Sequence, residues 1–532
     1  MRMFSENDLI QIRQHGITQE SAERQWNIVN QKKMNVTVVK PALKQDGLFV
    51  FNQQEVEDMI TDYHKQIAKE KIIKFVPASG AATRMFKDLF LARDWLATNG
   101  KVDDLPDTAL FFFDNIRKFA FFDALKTRLK EDGTDIDTLL SEKNYLPVLS
   151  CLLTEKGLNY GKLPKGLLLF HHYTLYTCTP MKEPTYTIYA QYVRTALEEH
   201  LAEVVGYVRG EDNTAHLHFT VSPEHVNLFD LHCKEVIPLY EEQFRTNYHI
   251  DFSTQHCSTD TIAFTTDNKP FRDREGNLVF RPGGHGSLIE NLNHLDADIV
   301  LIKNIDNVTL DRYKTDTIIY KSLLISLLLH ARKQIFDCLN MFDTRLASLE
   351  EIQKVESFLE NMFFIHFEKE YYDLPLSERQ MYLYRTLDRP VRVCGMVKRE
   401  NEPGGGPFWV KDADGKLSLQ IVETSEMNLS NAQQQEILER SAFFNPVDLV
   451  CSIKNHRGIP FNLLDYIDHS RYFISEKSYE GRTLKAIENP GLWNGAMSRW
   501  LTVFVAVPLT TFTPVKTIND LLQKGHTDTE RY

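Results

Sequence analysis

Apolar residues along the chain alternate between short continuous runs and longer stretches in which they recur every three or four positions. The helical periodicity predicts helices that include residues 186–205, 223–247 and 287–295. The short runs predict strands at residues 72–76, 166–170, 217–221, 299–302, 391–397 and 417–422. This succession predicts an α/β protein with a mixed, mostly parallel sheet flanked by helices and with ligands at the carboxyl ends of its strands.

Two mostly helical stretches interrupt this alternation. Residues 88–160 contain a phenylalanine-rich core of their own, and residues 310–388 form a second long helical stretch. A chain of 532 residues exceeds the usual size of one domain, so large insertions or further domains are expected. We therefore predict a polar, helical N-terminal segment over residues 1–70 and an α/β domain over residues 71–532 that carries both helical insertions.

Composition and charge narrow the classes of ligand. The sequence is 42% hydrophobic, contains no apolar run near the roughly 20 residues of a membrane-spanning helix, and has no apolar signal-peptide core in residues 1–14. We therefore expect a cytoplasmic protein without a membrane partner. The net charge of -12 argues against nucleic acid, whose binding requires many basic residues, whereas a small phosphorylated ligand needs few.

A loop of small residues follows the first predicted strand. Its residues are Ala78, Ser79, Gly80, Ala81, Ala82, Thr83 and Arg84. Small side chains let a phosphate approach backbone N–H groups, which a following helix orients towards an anion. Thr83 adds a hydroxyl and Arg84 a fixed cation. Close packing of a helix on a strand explains the same small residues equally well.

Three further segments carry charge in suitable places. Lys162 and Lys165, either of which could hold a phosphate, precede a predicted strand. Asp306 follows residues 299–302, where its carboxylate is a hard oxygen ligand for Mg²⁺. Lys516 lies in a proline-stiffened turn before a predicted helix. Each segment also has an ordinary interpretation: a solvated loop, a turn in which Asp306 bonds its own backbone, or a capped helix entry with Lys516 in water.

Other chemistries find less support in the sequence. His216 and His218 would share one face of a strand, but no further ligands follow at a recognisable spacing, so we do not predict a histidine metal site. The seven cysteines are scattered without a C-x-x-C pair. Neither a G-x-S-x-G elbow nor an adjacent His-acid arrangement is present, so covalent nucleophilic catalysis is not predicted.

Taken in order, the segments resemble those of the UDP-sugar pyrophosphorylases, which include UDP-glucose and UDP-N-acetylhexosamine pyrophosphorylases. The matching segments are residues 76–85 (nucleotide-binding loop), 163–169 (Pro-Lys segment), 282–287 (Gly-His-Gly turn), 304–307 (metal-site motif), 420–426 and 444–449 (sugar-contacting strands) and 512–522 (Pro-Val-Lys segment). Each match is weak alone, but this many in one order are hard to obtain by accident. The whole chain is also identified as a member of an uncharacterised bacterial family known as a domain of unknown function, a label that supplies no activity.

The resemblance implies a GT-A or Rossmann-like fold and the activity of a sugar-1-phosphate nucleotidyltransferase. A sugar-1-phosphate oxygen would attack the α-phosphorus of a nucleoside triphosphate, UTP being favoured, and release pyrophosphate. The implied residues are Arg84, Lys165 and Lys516 for catalysis, Ala78, Ser79, Gly80, Ala81, Thr83, Gly284 and His285 for the nucleotide, Gly395, Glu423 and Asn445 for the sugar, and Asp306 for Mg²⁺.

Three departures from the family pattern leave other functions open. Ser79 and Ala81 stand where the family usually has glycines, which narrows the approach to the backbone. The insertion at residues 88–160 and the helical stretch after Asp306 lack counterparts in the shorter members. A glycosyltransferase on the same fold, or a non-catalytic nucleotide-sugar-binding protein, would fit these changes. Lys516 favours the nucleotidyltransferase over the glycosyltransferase, because it would hold the phosphate of an incoming sugar-1-phosphate.

Overall fold

The structure is a computed structural model that describes residues 4–31, 35–80, 82–98, 100–179, 185–210, 212–400, 404–412 and 415–527. The strands are β1 Thr37–Pro41, β2 Leu43–Lys44, β3 Gly47–Leu48, β4 Ile72–Pro77, β5 Leu169–Thr179, β6 Thr185–Thr195, β7 Thr214–Val221, β8 Asn247–Thr254, β9 Thr261–Ile262, β10 Phe280–Arg281, β11 Ile299–Lys303, β12 Val391–Lys398, β13 Gly406–Lys411, β14 Leu417–Val422, β15 Phe443–Phe444, β16 Asp448–Ser452, β17 Phe473–Tyr479, β18 Arg482–Glu488 and β19 Leu501–Ala506.

The α-helices, in chain order, are α1 Glu6–Gln14, α2 Gln19–Asn30, α3 Gln53–Ile60, α4 Tyr63–Ile67, α5 Lys87–Ala97, α6 Asp107–Asp114, α7 Phe122–Glu131, α8 Ile136–Ser141, α9 Tyr145–Leu153, α10 Ala196–Val204, α11 Val226–Phe244, α12 Leu288–Asn293, α13 Lys314–Thr344, α14 Leu349–Phe363, α15 Lys369–Tyr372, α16 Leu376–Leu387 and α17 Ala432–Glu439. Within the described ranges, no helix combines the length and apolarity needed to cross a bilayer.

The chain divides into two compact units. Unit 1 consists of Met1–Phe75, Ser253–Ile302 and Tyr320–Leu509, and unit 2 consists of Val76–Phe252, Lys303–Ile319 and Thr510–Tyr532. The N-terminal segment belongs to unit 1 and supplies a strand as well as helices, because β1 pairs antiparallel with β13.

The main sheet of unit 1 has the strand order β15-β12-β16-β11-β4, and β19 also pairs with β12. β4 and β11 are parallel, as are β12 and β19, whereas β12 and β16 are antiparallel. Every residue of β11 is buried, as its continuous apolar run predicts for a strand covered on both faces. The predicted α/β class, with a mixed, mostly parallel sheet and flanking helices, is confirmed.

A large apolar core holds this sheet against its neighbours. Phe75, Ile302, Met396 and Phe504 are fully buried in it, and Leu292 of α12 packs onto the same cluster. Burial of each such side chain contributes about 1.5–3 kcal/mol. The core therefore fixes the positions of these strands within unit 1.

The helices α5 to α9 of unit 2 surround an aromatic cluster. The ring centroids of Phe112 and Phe121 lie 6.4 Å apart, and Tyr160 lies 5.4 Å from Phe121. Phe112 and Phe113 are buried while Phe111 is 49% exposed, because only one face of an amphipathic helix is turned towards the core. The phenylalanines of residues 88–160 thus form a core within unit 2.

One predicted helix is partly wrong. Residues 186–195 belong to β6, which pairs antiparallel with β5, and the helix predicted over residues 186–205 begins only at Ala196, as α10. Threonine, tyrosine, isoleucine and valine dominate β6 and favour an extended chain. Thr195 then starts the helix through a capping box, in which its side chain accepts from the Glu198 N–H and the Glu198 carboxylate accepts from the Thr195 N–H.

Candidate functional site

Four segments that carry predicted site residues meet in unit 2: the loop after β4, the Lys165 turn, the Asp306 loop and the C-terminal Lys516 segment. The main-chain hydrogen bonds between them run from Ala82 N to Leu163 O (3.4 Å), Ile305 N to Pro77 O (3.3 Å), Val515 N to Asp306 O (2.9 Å) and Ile518 N to Met85 O (3.2 Å). Stretches that are distant in sequence are therefore direct neighbours.

Lys165 lies at the centre of these contacts. Its Nζ donates to Asp306 Oδ2 at 2.6 Å and to the Val515 carbonyl at 2.8 Å. The Lys165 and Asp306 side chains are only 15% and 21% exposed. Two of the three ammonium N–H groups are thus engaged within the described residues, which leaves one for a ligand.

The turn that positions Lys165 depends on the next residue. Lys165 opens a 3-10 turn, Lys165–Leu167, directly after Pro164. A Cβ on Gly166 would lie 2.8 Å from the ring of Phe229. The glycine therefore lets this turn pack closely on α11, and the packing fixes the direction from which Lys165 approaches Asp306.

The Asp306 loop is held by residues on either side of its carboxylate. Lys303 pairs with the buried Glu203 at 2.6 Å, and His200 Nε2 donates to the Ile305 carbonyl at 3.2 Å. Asn307 Oδ1 accepts from the Thr513 N–H at 2.9 Å. Sequence reasoning missed Glu203 and His200, because isolated polar residues in a helical pattern give no sign of their partners.

The loop after β4 is open to ligands. The Ala78 N–H donates to the Thr220 carbonyl at 2.9 Å, so Ala78 itself is anchored in unit 2. Ser79 is half-buried and Gly80 is exposed, with no heavy atom within 4 Å of the position a Cβ would take. Ala81, predicted to bind the nucleotide, lies outside the described residues.

The two predicted cations next to this loop are exposed. Thr83 and Arg84 lie in the 3-10 turn Ala82–Arg84, and both are exposed. Lys516 is also exposed, with its Nζ 5.8 Å from the centroid of Phe512. The Lys516 N–H donates to Asp520 Oδ2 at 2.8 Å. The helix entry is therefore capped, by Thr517 with Asp520 in a capping box, and the Lys516 ammonium remains accessible.

The residues predicted to contact a sugar belong to unit 1, where they lie around Gly405. Asn445 N donates to the Gly405 carbonyl at 2.7 Å, and Asn445 Nδ2 donates to the Gly395 carbonyl at 3.1 Å. Glu423 Cγ lies 3.4 Å from the position of a Cβ on Gly405. Gly395, Glu423 and Asn445 are thus brought together, although the Asn445 amide is already used by the backbone.

Glu423 adjoins a buried polar network that the sequence did not reveal. Burial and the nearby Glu426 raise the pKa of Glu423. Glu426 Oε1 accepts from Arg471 Nε at 2.8 Å, and its Oε2 accepts from Asn494 Nδ2 at 3.1 Å. Arg471 and Asn494 belong to no motif, so only their tertiary contacts identify them as supports of this group.

Gly284 and His285 form a tight turn in unit 1. Gly284 has a φ of +78°, which a side chain rarely adopts, and a Cβ on Gly286 would lie 2.1 Å from the Pro490 carbonyl. The His285 ring stacks on Trp493 at 4.3 Å, and its Nδ1 accepts from the Leu492 N–H at 3.2 Å. Burial lowers the pKa of His285 to about 4, so the ring is neutral at pH 7.

Acidification from pH 7 to pH 4 is expected to destabilise unit 1 through His285. The pKa of its ring is about 4 in the folded protein, against 6.5 as the ordinary value. Between these values the unfolded chain binds a proton that the folded ring excludes. The free energy of unfolding is therefore unaffected by this histidine above pH 6.5. Below pH 6.5 it falls by up to about 1.4 kcal/mol for each pH unit down to pH 4.

The urea midpoint measured from pH 7 to pH 4 tests this expectation. His285→Gln should flatten the curve, because glutamine does not titrate, whereas His294→Gln replaces an exposed histidine of the same unit and should leave the curve unchanged. A curve of equal slope for wild type and His285→Gln would show that His285 does not carry the pH dependence.

The donor chemistry around Asp306 restricts how a metal could bind. Among the described residues, no group of three or more His, Cys, Asp or Glu could hold a metal ion. Asp306 is a single carboxylate, and Lys165 already bonds one of its oxygens. Mg²⁺ often takes one or two carboxylates together with phosphate and water oxygens. These residues therefore fit a magnesium ion carried by a phosphate and not one held by protein ligands alone.

Comparison with known proteins gives a family and a set of similar folds. A family profile described as "Domain of unknown function (DUF4301)" matches residues 5–186 and 184–527. No curated protein matches the chain. The chain is similar to the solved structure of UDP-glucose pyrophosphorylase from Leishmania major, with 13% identity, a TM-score of 0.43, and coverage of 97% of this chain and 77% of that one.

A second similar structure is the uridine diphosphate N-acetylglucosamine pyrophosphorylase from Trypanosoma brucei. The identity is 12% and the TM-score 0.44, with coverage of 93% of this chain and 71% of that chain. At such values the similarity by itself assigns no activity.

Proposed function

The chain belongs to the DUF4301 family, a domain of unknown function, and we propose that it is a sugar-1-phosphate nucleotidyltransferase that acts with Mg²⁺ on a nucleoside triphosphate. The observation that carries the proposal is the bridge from Lys165 Nζ to Asp306 and to the carbonyl of Val515. It joins three of the segments whose order in the sequence resembles that of UDP-sugar pyrophosphorylases, and it provides a cation and a carboxylate beside an accessible loop.

The proposed reaction is a displacement at phosphorus. An oxygen of the sugar-1-phosphate attacks the α-phosphorus of the triphosphate, the bond from the α-phosphorus to the bridging oxygen breaks, and pyrophosphate leaves with the electron pair. No covalent intermediate with the protein is required. The protein then contributes positioning and neutralisation of phosphate charge.

Several residues of unit 2 are proposed to neutralise the phosphate charge of the substrates. Lys165 donates its remaining N–H to the triphosphate, and Arg84 binds it with a guanidinium fork. Lys516 holds the phosphate of the incoming sugar. Mg²⁺ bound on the triphosphate next to Asp306 would neutralise part of its charge. Ser79 and Gly80 offer their backbone N–H groups to the nucleotide, and Thr83 offers a hydroxyl. Ala78, whose N–H is bonded to the Thr220 carbonyl, contributes a small side chain that lets the nucleotide approach.

The residues proposed to contact the sugar, together with Gly284 and His285, belong to unit 1. Glu423 is proposed to bond one sugar hydroxyl and Asn445 another, through the amide N–H that the Gly395 carbonyl does not use. Gly395 is proposed to leave space for the sugar. The network of Glu426 and Arg471 keeps Glu423 in one position, since Arg471 also donates to the Ile421 carbonyl at 2.7 Å. Gly284 and His285 are proposed to contact the nucleotide, His285 as a neutral ring.

The activity is tested by incubating the full chain with Mg²⁺, each common nucleoside triphosphate and a panel of sugar-1-phosphates, with pyrophosphate and nucleotide sugar as readouts. We expect release of both products with at least one pair, UTP being favoured.

Lys516→Met should raise the KM for the sugar phosphate about tenfold or more, because one charged contact is lost. Lys524→Met removes an exposed lysine of the same unit and should change nothing.

Two other results would replace the proposal. Nucleotide-sugar binding without pyrophosphate release from any pair would identify a non-catalytic binding protein, which the Ser79 and Ala81 departures favour. Transfer of sugar from a preformed nucleotide sugar to a hydroxyl, with full activity in Lys516→Met, would identify a glycosyltransferase.

A further inference from the structure

Unit 1 contains a cavity of about 240 Å³ that the proposed function does not use. It is bordered by the end of α14, by α16 and by the strands β13, β14 and β19. Its lining combines cations with aromatic rings. The cations are Arg389, Lys416 and Arg499, and the rings include those of Tyr382, Trp409 and Trp500.

Two arginines of this cavity form no ion pair among the described residues. In the described ranges, no carboxylate oxygen lies within 4.0 Å of the guanidinium of Arg389 or Arg499. Arg389 donates through Nε to the Arg385 carbonyl at 3.1 Å, so its Nη groups remain for another acceptor. Burial and the proximity of Arg499 lower the pKa of Arg389. Two neighbouring guanidinium groups that repel each other favour a bound anion.

A second observation also indicates a missing acceptor. Trp500 is only 4% exposed, and its indole Nε1 is buried without a hydrogen-bond partner among the described residues. The hydroxyl of Ser498, which also lines the cavity, is likewise buried without a hydrogen-bond partner among the described residues. Buried donors are almost always satisfied in proteins, by protein groups, water or ligands.

Aromatic rings and two acids limit the kind of anion. The His366 ring lies roughly parallel to Trp409, with centroids 5.6 Å apart, and Lys416 Nζ lies 5.5 Å from the centroid of Tyr382. Glu368 and Asp412 also line the cavity and would repel a second negative group. The lining therefore suits a small ligand with one anionic group and a planar apolar part.

We propose that this cavity binds a small planar molecule carrying a phosphate or carboxylate group, whose oxyanion is held by Arg389 and Arg499. The guanidinium fork matches the paired oxygens of either group. The ring of the ligand lies against the aromatic residues, where stacking contributes in addition to burial. This site is independent of the proposed nucleotidyltransferase reaction.

Isothermal titration calorimetry of the full chain tests the site with phenyl phosphate, benzoate and neutral benzyl alcohol. We expect saturable binding of at least one of the two anions and none of the alcohol. The stronger of the two anions identifies the oxyanion. Arg499→Met and Arg389→Met should each weaken binding about tenfold or more, because a charge-assisted contact is lost. Arg440→Met replaces an exposed arginine directly after α17 and should bind as wild type does.

Arg499 is exposed at the rim, so its replacement tests the site without disturbing the core. The inference fails if wild type binds neither anion, if benzyl alcohol binds as tightly, or if both arginine variants retain full affinity. Lys165→Met should keep the affinity for the anion. Loss in Lys165→Met together with retention in Arg499→Met would place the probe at the unit 2 site and would also overturn the inference. Activity in the pyrophosphate assay bears on none of these outcomes.

Discussion

Replacement of Asp306 by alanine is expected to lower the rate of pyrophosphate release by about a hundredfold to a thousandfold. The variant loses the only carboxylate that bonds Lys165 among the described residues, and Lys165 keeps the Val515 carbonyl alone. A triphosphate with its magnesium would then lack the group proposed to fix it. The steady-state kcat and KM for each substrate measure the effect.

Asp306→Ala should fold, because Lys165 Nζ keeps its bond to the Val515 carbonyl and both side chains of the pair retain some contact with solvent. Asp123→Ala replaces an exposed aspartate of the same unit and should retain full activity. Asp306→Asn keeps the shape and removes the charge, so its activity separates the two contributions. An active, magnesium-dependent Asp306→Ala variant would remove Asp306 from the proposed mechanism.

Replacement of Glu199 by leucine is expected to destabilise unit 2 by about 3–5 kcal/mol. Glu199 is fully buried; its Oε2 accepts from Lys314 Nζ at 2.6 Å, and its Oε1 contacts His171 Nδ1 at 2.9 Å and accepts from the Tyr173 hydroxyl at 2.7 Å. Burial alone would raise the pKa of Glu199, but Lys314 and His171 outweigh it and hold that pKa well below its usual range. Leucine would remove the buried carboxylate from Lys314 and Arg194, which would keep only the more exposed Asp311 as a carboxylate partner among the described residues.

Urea denaturation followed by circular dichroism measures this loss. Glu199→Gln keeps the volume of the side chain, so its loss of stability measures the effect of the lost charge alone. Glu235→Leu replaces an exposed glutamate on α11 and should remain close to wild type. A Glu199→Leu protein as stable as wild type would show that the apolar core holds unit 2 without this network.

The fold could be predicted best where a short segment is mostly apolar. The sequences of β4, β11 and β12 predict strands, because strands buried on both faces are mainly apolar, although each also buries one charged residue, Lys74, Lys303 or Arg392. The sequence of β6 instead predicts a helix, because its mixed polar and aromatic composition obscures the alternation of a strand. The segment is a strand because it pairs with β5, and such pairing depends on the tertiary structure.

The candidate site could be predicted only in part. The place of Asp306 follows from the end of β11, since a strand of known position fixes its carboxyl end. The bond from Lys165 to Asp306 crosses 141 positions and depends on how loops pack. Arg471 and Asn494 have no local pattern at all, because they contact Glu426 through the folded chain. The roles assigned to these residues remain predictions.

The anchoring of the Asp306 loop has a consequence for how a ligand is received. α10 fastens the loop through Glu203 and His200, and Asn307 fastens it to Thr513. A loop that is already immobile loses little conformational freedom when a ligand arrives, so little of the binding free energy is spent on ordering it. The adaptation to differently shaped phosphates then falls to Arg84 and Lys516, whose long, exposed side chains can change rotamer without disturbing the backbone beneath them.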